Sequence, residues 1–195
     1  MDQVEYFRTH PPRCVTRFGV RSTDLPGVAF DGHASLSQLK SRMQSGIKIE
    51  APEHINPVFS LSCSCSGRHF FVHGYRWINP DYHNAEVFLS PLVLECQACK
   101  RRTELLDTDI HGYDGELGHG TTTARGQGVA TVFDCPACGR QAVDPFVRFE
   151  YPDDLFDGDL PEFAGREQDL FTWFSLLGRC TKCLQVLTIA DFECA

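Results

Sequence analysis

Cys135-Pro136-Ala137-Cys138 and Cys180-Thr181-Lys182-Cys183 each hold two thiols three positions apart, and an earlier set stands at Cys63-Ser64-Cys65 and Cys96-Gln97-Ala98-Cys99. Eight of the chain's 10 cysteines thus fall into four close pairs. Two thiolates on one tight turn can aim at a single ion, and two such turns complete a tetrahedron around zinc. Two structural Zn²⁺ sites are expected, with ligands Cys63, Cys65, Cys96 and Cys99 in the first and Cys135, Cys138, Cys180 and Cys183 in the second. A shell closed by four cysteines leaves no coordination position for a substrate. Pro136 pre-sets its turn, and Gly139 lets the backbone curl so that amide N–H groups point at sulfur.

The first set departs from the second, because its leading pair is separated by one residue instead of two. The reading adopted is that Cys65 completes an all-cysteine shell from a tighter turn. His69 or His73 could supply a nitrogen in its place, or this site could hold no metal at all. Between the paired cysteines lie 30 and 41 residues, enough for additional strands inside each unit.

The two sets also read as copies of one unit. At an offset of 72, Cys63 falls on Cys135, Gly67-Arg68 on Gly139-Arg140, Arg76 on Arg148 and Pro80-Asp81 on Pro152-Asp153. This gapless alignment sets Ser66 against Cys138. At an offset of 84, Cys96 and Cys99 fall on Cys180 and Cys183, Leu92 on Leu176 and Asp107 on Asp191. The second copy then carries about twelve extra residues, assigned to the acidic segment around 154–165.

Paired cysteine turns on hairpins, with strands between them, resemble the zinc-ribbon group of folds. The resemblance covers roughly 58–195 and rests on the eight cysteines and the Gly-Arg steps after two of the turns. It implies an interaction module for protein or nucleic acid, and it picks out no single family.

The elements that must position these turns read as short strands. Phe59 and Leu61 lead into the first turn, Phe70 to Trp77 leave it, and Val87 to Leu94 lead into the second turn, which Thr103 to Leu106 leave. Val129 to Phe133, Val147 to Tyr151 and the apolar run Leu170 to Leu177 repeat the arrangement. Upstream, Val15, Phe18 and Val20 suggest a strand. Ser35 with Gln38 forms a capping-box pattern that starts a helix over 36–45. The expected fold is mainly β with a short N-terminal helix. Its organisation is an N-terminal cap over 1–57, a zinc-ribbon-like module over 58–111, a glycine-rich linker over 112–128 and a second such module over 129–195, the modules related by internal duplication.

Each module is small enough that burial alone leaves little stability. The net charge of −8 and a pI near 5.4 disfavour phosphate-backbone binding and suit a basic protein partner. Lys100-Arg101-Arg102 is the chief basic cluster. Segment 112–128 holds six glycines but lacks the Gly-Lys-Ser/Thr ending of a phosphate loop. Asp153 to Asp159 lacks the spacing and terminal Glu of a calcium loop. No His-x-Glu step accompanies Cys135-Pro136, so the zinc-deaminase pattern is not met. Cys14 and Cys194 stand unpaired with no base identifiable beside them, and His111 and His119 read as solvent-exposed. The opening is acidic and no apolar stretch approaches a membrane span, which points to the cytoplasm, where reduced thiols favour metal over disulfide. The function expected is non-catalytic: a zinc-stabilised protein engaging a protein partner as an inhibitor, immunity protein or adaptor. A nucleic-acid-binding ribbon and a zinc-dependent hydrolase are the alternatives. The candidate contact surface is the acidic segment 153–162.

Overall fold

A computed structural model describes residues 3–23, 56–79, 85–119, 124–152, 155 and 163–195. The helix expected over 36–45 and nearly all of the acidic segment 153–162 lie outside these residues. Among the described residues the chain is mainly β, with helix α1 (Gln3–Thr9) at its start and a one-turn helix α2 (Gly112–Glu116) in the middle. The strands are β1 (Gly19–Ser22), β2 (Val58–Ser62), β3 (Phe70–Asn79), β4 (Ala85–Cys96), β5 (Arg102–Leu106), β6 (Thr131–Val132), β7 (Ala142–Glu150), β8 (Trp173–Cys180) and β9 (Val186–Glu193). Upstream, Val15 closes a 3₁₀ turn (Arg13–Val15) and the strand begins only at Gly19. Val15 and Phe18 instead plug the core from loop positions.

All the strands join one antiparallel sheet, with path β1-β2-β7-β3-β4-β5 and a branch β7-β8-β9. In β4 the buried Phe88, Leu92, Leu94 and Cys96 alternate with half-exposed neighbours, the period-2 signature of a strand covered on one face. In β8, Phe174 to Gly178 are buried without interruption, as expected where both faces are covered. The main core draws on both ends of the chain: Phe70, Leu92 and Leu94 join Val143, Phe149, Phe174 and Ile189 in one apolar cluster. Phe149 sits at its centre, its ring 4.8 Å from Phe171, 5.6 Å from Phe174 and 6.1 Å from Phe59. A smaller cluster of Val58, Phe146 and Leu177 is separate from it.

The halves exchange strands. β2 does not pair with β3 but with β7, through Phe59–Val147 and Ser60–Phe146, while β6 pairs with β3 through Thr131–Gly74 and Val132–His73. These contacts correspond pair for pair, and between them Phe70 faces Val143 where β3 and β7 meet directly. The hairpins correspond as closely. Leu92–Leu106 and Val93–Glu104 flank an irregularity in β4/β5, and Leu176–Ala190 and Leu177–Thr188 flank one in β8/β9. The gapless alignment of the leading turns does not survive, because the first turn is one residue shorter and Cys65, not Ser66, stands opposite Cys138.

Segment 112–128 is tied to the rest of the fold at residues 112–114 and at residues 124–126. Gly112 packs against Cys194 and Phe171, so a Cβ there would meet Cys194 Cβ at 2.5 Å. Ala124 is buried, and Ser90 N–H donates to its carbonyl at 2.8 Å. His111 is half-buried and accepts a hydrogen bond from Asp107 N–H at its Nδ1, which corrects the expectation of a solvent-exposed ring; burial lowers its pKa. Cys194 is buried, and its N–H donates to Thr172 O at 2.7 Å.

Candidate metal centres

Each cysteine pair lies on a turn closed in the same way. The first cysteine's N–H donates back across the turn: Cys135 to Arg140 O at 2.8 Å, Cys96 to Arg101 O at 2.9 Å, Cys180 to Gln185 O at 2.8 Å, and Cys63 to Gly67 O at 2.8 Å. Every turn needs one left-handed residue. Gly139 (φ 68°) takes that position without a steric cost, whereas Ser66 (67°), Lys100 (62°) and Leu184 (63°) adopt it with a Cβ.

These turns bring eight sulfurs into two groups, Cys63/Cys65/Cys96/Cys99 and Cys135/Cys138/Cys180/Cys183, and within each group all sulfurs lie within 4.8 Å of one another. The shortest separations are 3.6 Å for Cys63–Cys99, Cys65–Cys96 and Cys135–Cys183, and 3.5 Å for Cys138–Cys180. A disulfide needs about 2.05 Å. A tetrahedral ion with metal–sulfur bonds of about 2.3 Å needs edges of about 3.8 Å, close to those found. Either group could hold a metal ion. The structure brings Cys65 to the first group and turns both candidate histidines elsewhere: His69 Nδ1 lies 2.5 Å from Asp144 Oδ1, and His73 Nε2 lies 3.2 Å from Glu95 Oε2.

The backbone prepares each group to carry negative charge. The Cys65 N–H and the neighbouring thiols hold Cys63 down at about 6 against the push of burial. Burial raises Cys180, but the N–H groups of Cys183 and Lys182 with the thiols of Cys138 and Cys183 bring it to about 6. Its partner Cys135 is pushed up to about 12, chiefly by burial. Without an ion, each group therefore favours at least one thiolate, and a divalent cation would displace the remaining protons.

Around the first group, Lys100 Nζ sits over the Phe71 ring at 5.1 Å, Arg101 donates to Ser64 Oγ at 2.5 Å and Arg102 pairs with Glu95 at 2.7 Å. The basic run is thus used locally, residue by residue. Cys14 and Cys194 join neither group. Both are buried, and burial pushes both thiols up, so neither is poised as a nucleophile.

One constellation carried no signal in the sequence. Arg13 donates to Glu116 at 2.6 and 2.8 Å, Arg166 donates to the same carboxylate at 2.5 Å, and Asp169, 3% exposed, accepts from Arg13 N–H at 2.7 Å. Arg13 Nε also lies 2.6 Å from Asp169 Oδ2, in ion-pair contact but poorly aligned for a hydrogen bond. The four residues come from segments up to 156 positions apart, so only the fold unites them. No described helix is long and apolar enough to cross a membrane. Comparison with known protein families, with curated proteins and with solved structures gave no match.

Proposed function

We propose that the chain is a non-catalytic, zinc-stabilised binding protein of zinc-ribbon type, built from two related modules that arose by duplication, and that it engages a basic protein partner in the cytoplasm. The observation that carries this reading is the closure of both sulfur groups: four thiols around each centre leave a bound ion no position for water or substrate. Zinc suits an all-sulfur tetrahedral set, and its identity is the first thing to measure. The acidic balance of the chain favours a basic partner over nucleic acid, with segment 153–162 as the proposed contact. The local pairing of Arg101 and Arg102 also weakens the nucleic-acid alternative.

Elemental analysis of freshly purified protein should give two zinc ions per chain, and a cobalt-substituted sample should show all-sulfur tetrahedral absorption at both sites. A mixed oxygen–sulfur spectrum would revive the hydrolase reading. Affinity capture from native lysate should recover a basic protein whose binding weakens when the carboxylates of 153–162 are neutralised. Capture that recovers none defeats the partner assignment while leaving the zinc assignment intact.

A further inference from the structure

β1, β2, β7 and β8 border a groove of about 420 Å³ whose walls include Arg21, Arg68 and Arg179. That volume falls toward the lower end of the range for small-molecule sites, about 300–1,000 Å³. Asp144 is the only carboxylate among its described walls, and it is already engaged: Arg179 Nη2 donates to it at 2.8 Å, and His69 holds its other oxygen. Arg21 and Arg68 have no carboxylate partner among the described residues. In a chain of net charge −8, three arginines lining one cavity against one occupied carboxylate leave positive charge uncompensated.

Balancing the nearby thiolates accounts for Arg68, which follows the first sulfur turn, but not for Arg21. Arg21 pairs across to Ser60, and about 10 Å of strand separates Ser60 from Cys63. Nor does the pairing shared by the two halves generate the groove. The position matching Arg179 is Glu95, the position matching Phe146 is His73, and β1 has no described counterpart.

We propose that this groove binds a small phosphate-bearing ligand. A guanidinium offers five N–H donors in a planar fork, and one fork satisfies a carboxylate. With the Arg179 fork committed to Asp144, the forks of Arg21 and Arg68 remain for the terminal oxygens of a phosphate. The serine hydroxyls do not compete for it, since Ser62 Oγ donates to Gly19 O at 3.1 Å and Ser60 Oγ to Arg21 O at 3.4 Å, which ties β1 to β2 and steadies Arg21. Arg179 rests over the Phe146 ring at 6.0 Å, and Pro145 with Phe146 supplies an apolar wall for the organic part of the ligand.

The test titrates the zinc-loaded full chain with inorganic phosphate, a nucleoside monophosphate, the unphosphorylated nucleoside, sodium chloride at matched ionic strength and a short single-stranded oligonucleotide, read by calorimetry. Saturable one-site binding of phosphate and of the monophosphate is expected, with none for the nucleoside or chloride. Tighter binding of the ester marks an organic phosphate as the ligand; equal binding marks the free oxyanion. Arg21→Gln should weaken binding about tenfold while zinc content and ligand-free Tm stay unchanged, and Arg68→Gln should weaken it by a similar factor. No saturable binding at millimolar phosphate, binding unchanged in both variants, or binding of the oligonucleotide alone would each overturn the proposal.

Discussion

Phe70 and Val143 face each other where β3 meets β7, and around this pair the two halves of the chain trade strands. On one side Ser60 of the first half pairs with Phe146 of the second, and on the other Val132 of the second pairs with His73 of the first. Each half therefore depends on the other to cover one edge of β3 or of β7. β7 and β3 would present unpaired backbone groups without the exchanged partner, and the shared core around Phe149 would open.

Fragments 1–120 and 121–195 should accordingly fail to fold alone, even with zinc present. Circular dichroism should show no cooperative thermal transition for either, and mixing the two should restore one. A fragment that unfolds cooperatively by itself would count against the exchange as a source of stability.

Removal of metal should act on the whole molecule. Zinc in finger-type sites contributes roughly 10–16 kcal/mol at neutral pH, against a net stability of about 5–15 kcal/mol for ordinary domains. Cys180→Ser should lower bound zinc from two ions to one and abolish the folded state at 37 °C, because Cys180 sits on β8 inside the shared sheet. Chelation should have the same effect in a single transition, measured by loss of near-ultraviolet dichroism together with release of zinc.

The left-handed turn positions make opposite predictions for two substitutions. Leu184→Gly should stabilise by about 1 kcal/mol, because its side chain is 67% exposed and its φ is 63°. Gly139→Ala should cost about 1 kcal/mol at the matching position, where no atom lies within 4 Å of a new Cβ and only the backbone angle is at issue. Urea denaturation of the zinc-loaded variants measures both.

Phe149→Ala should be far more costly, about 3–5 kcal/mol, since the side chain is fully buried among the rings of Phe59, Phe171 and Phe174. An exposed aromatic such as Trp77, replaced by alanine, should change stability by less than about 1 kcal/mol in the same denaturation series.

High pH should lower the protein's stability in two stages, the buried thiols acting before the phenols. Burial raises the pKa of Cys14, Cys194 and Tyr151, and burial with the Glu167 hydrogen bond raises that of Tyr6. A raised folded pKa means that the folded state keeps a proton the unfolded chain gives up. Stability is therefore intact below the unfolded values, about 8.5 for thiols and about 10 for phenols, and falls as pH climbs past them. Cys14→Ala should flatten the first part of that decline and Tyr6→Phe the later part, in Tm measured from pH 8 to 11.

The metal-binding potential was legible because it is local. Two cysteines on one turn announce themselves within four residues, and alternation in Leu92, Leu94 and Cys96 marks a strand with no knowledge of its partner. Strand pairing was not legible. Nothing in Val58–Ser62 indicates that it would lie beside Phe146 to Arg148 in place of the nearer β3, because a half-buried strand shows the same pattern whichever edge it joins. The one-residue difference between the leading turns was hidden for a related reason. A gapless alignment matches Gly67-Arg68 to Gly139-Arg140 by residue type, whereas the hydrogen bond from Cys63 to Gly67 corresponds to that from Cys135 to Arg140. His111 escaped because glycine-rich surroundings suggest solvent, although Gly112 beside it packs tightly for want of a side chain.

The exchange of β2 for β6 also governs the order in which the chain can mature on the ribosome. The first sulfur group is complete once Cys99 has been made, yet β2 must wait for residues 146–148 before its outer edge is covered. During that interval the nascent polypeptide carries a complete set of four cysteines beside an open strand. Early capture of an ion by this group would hold the emerging hairpin in register while the remainder is synthesised, so a bound metal would act as a clamp in time as well as in space.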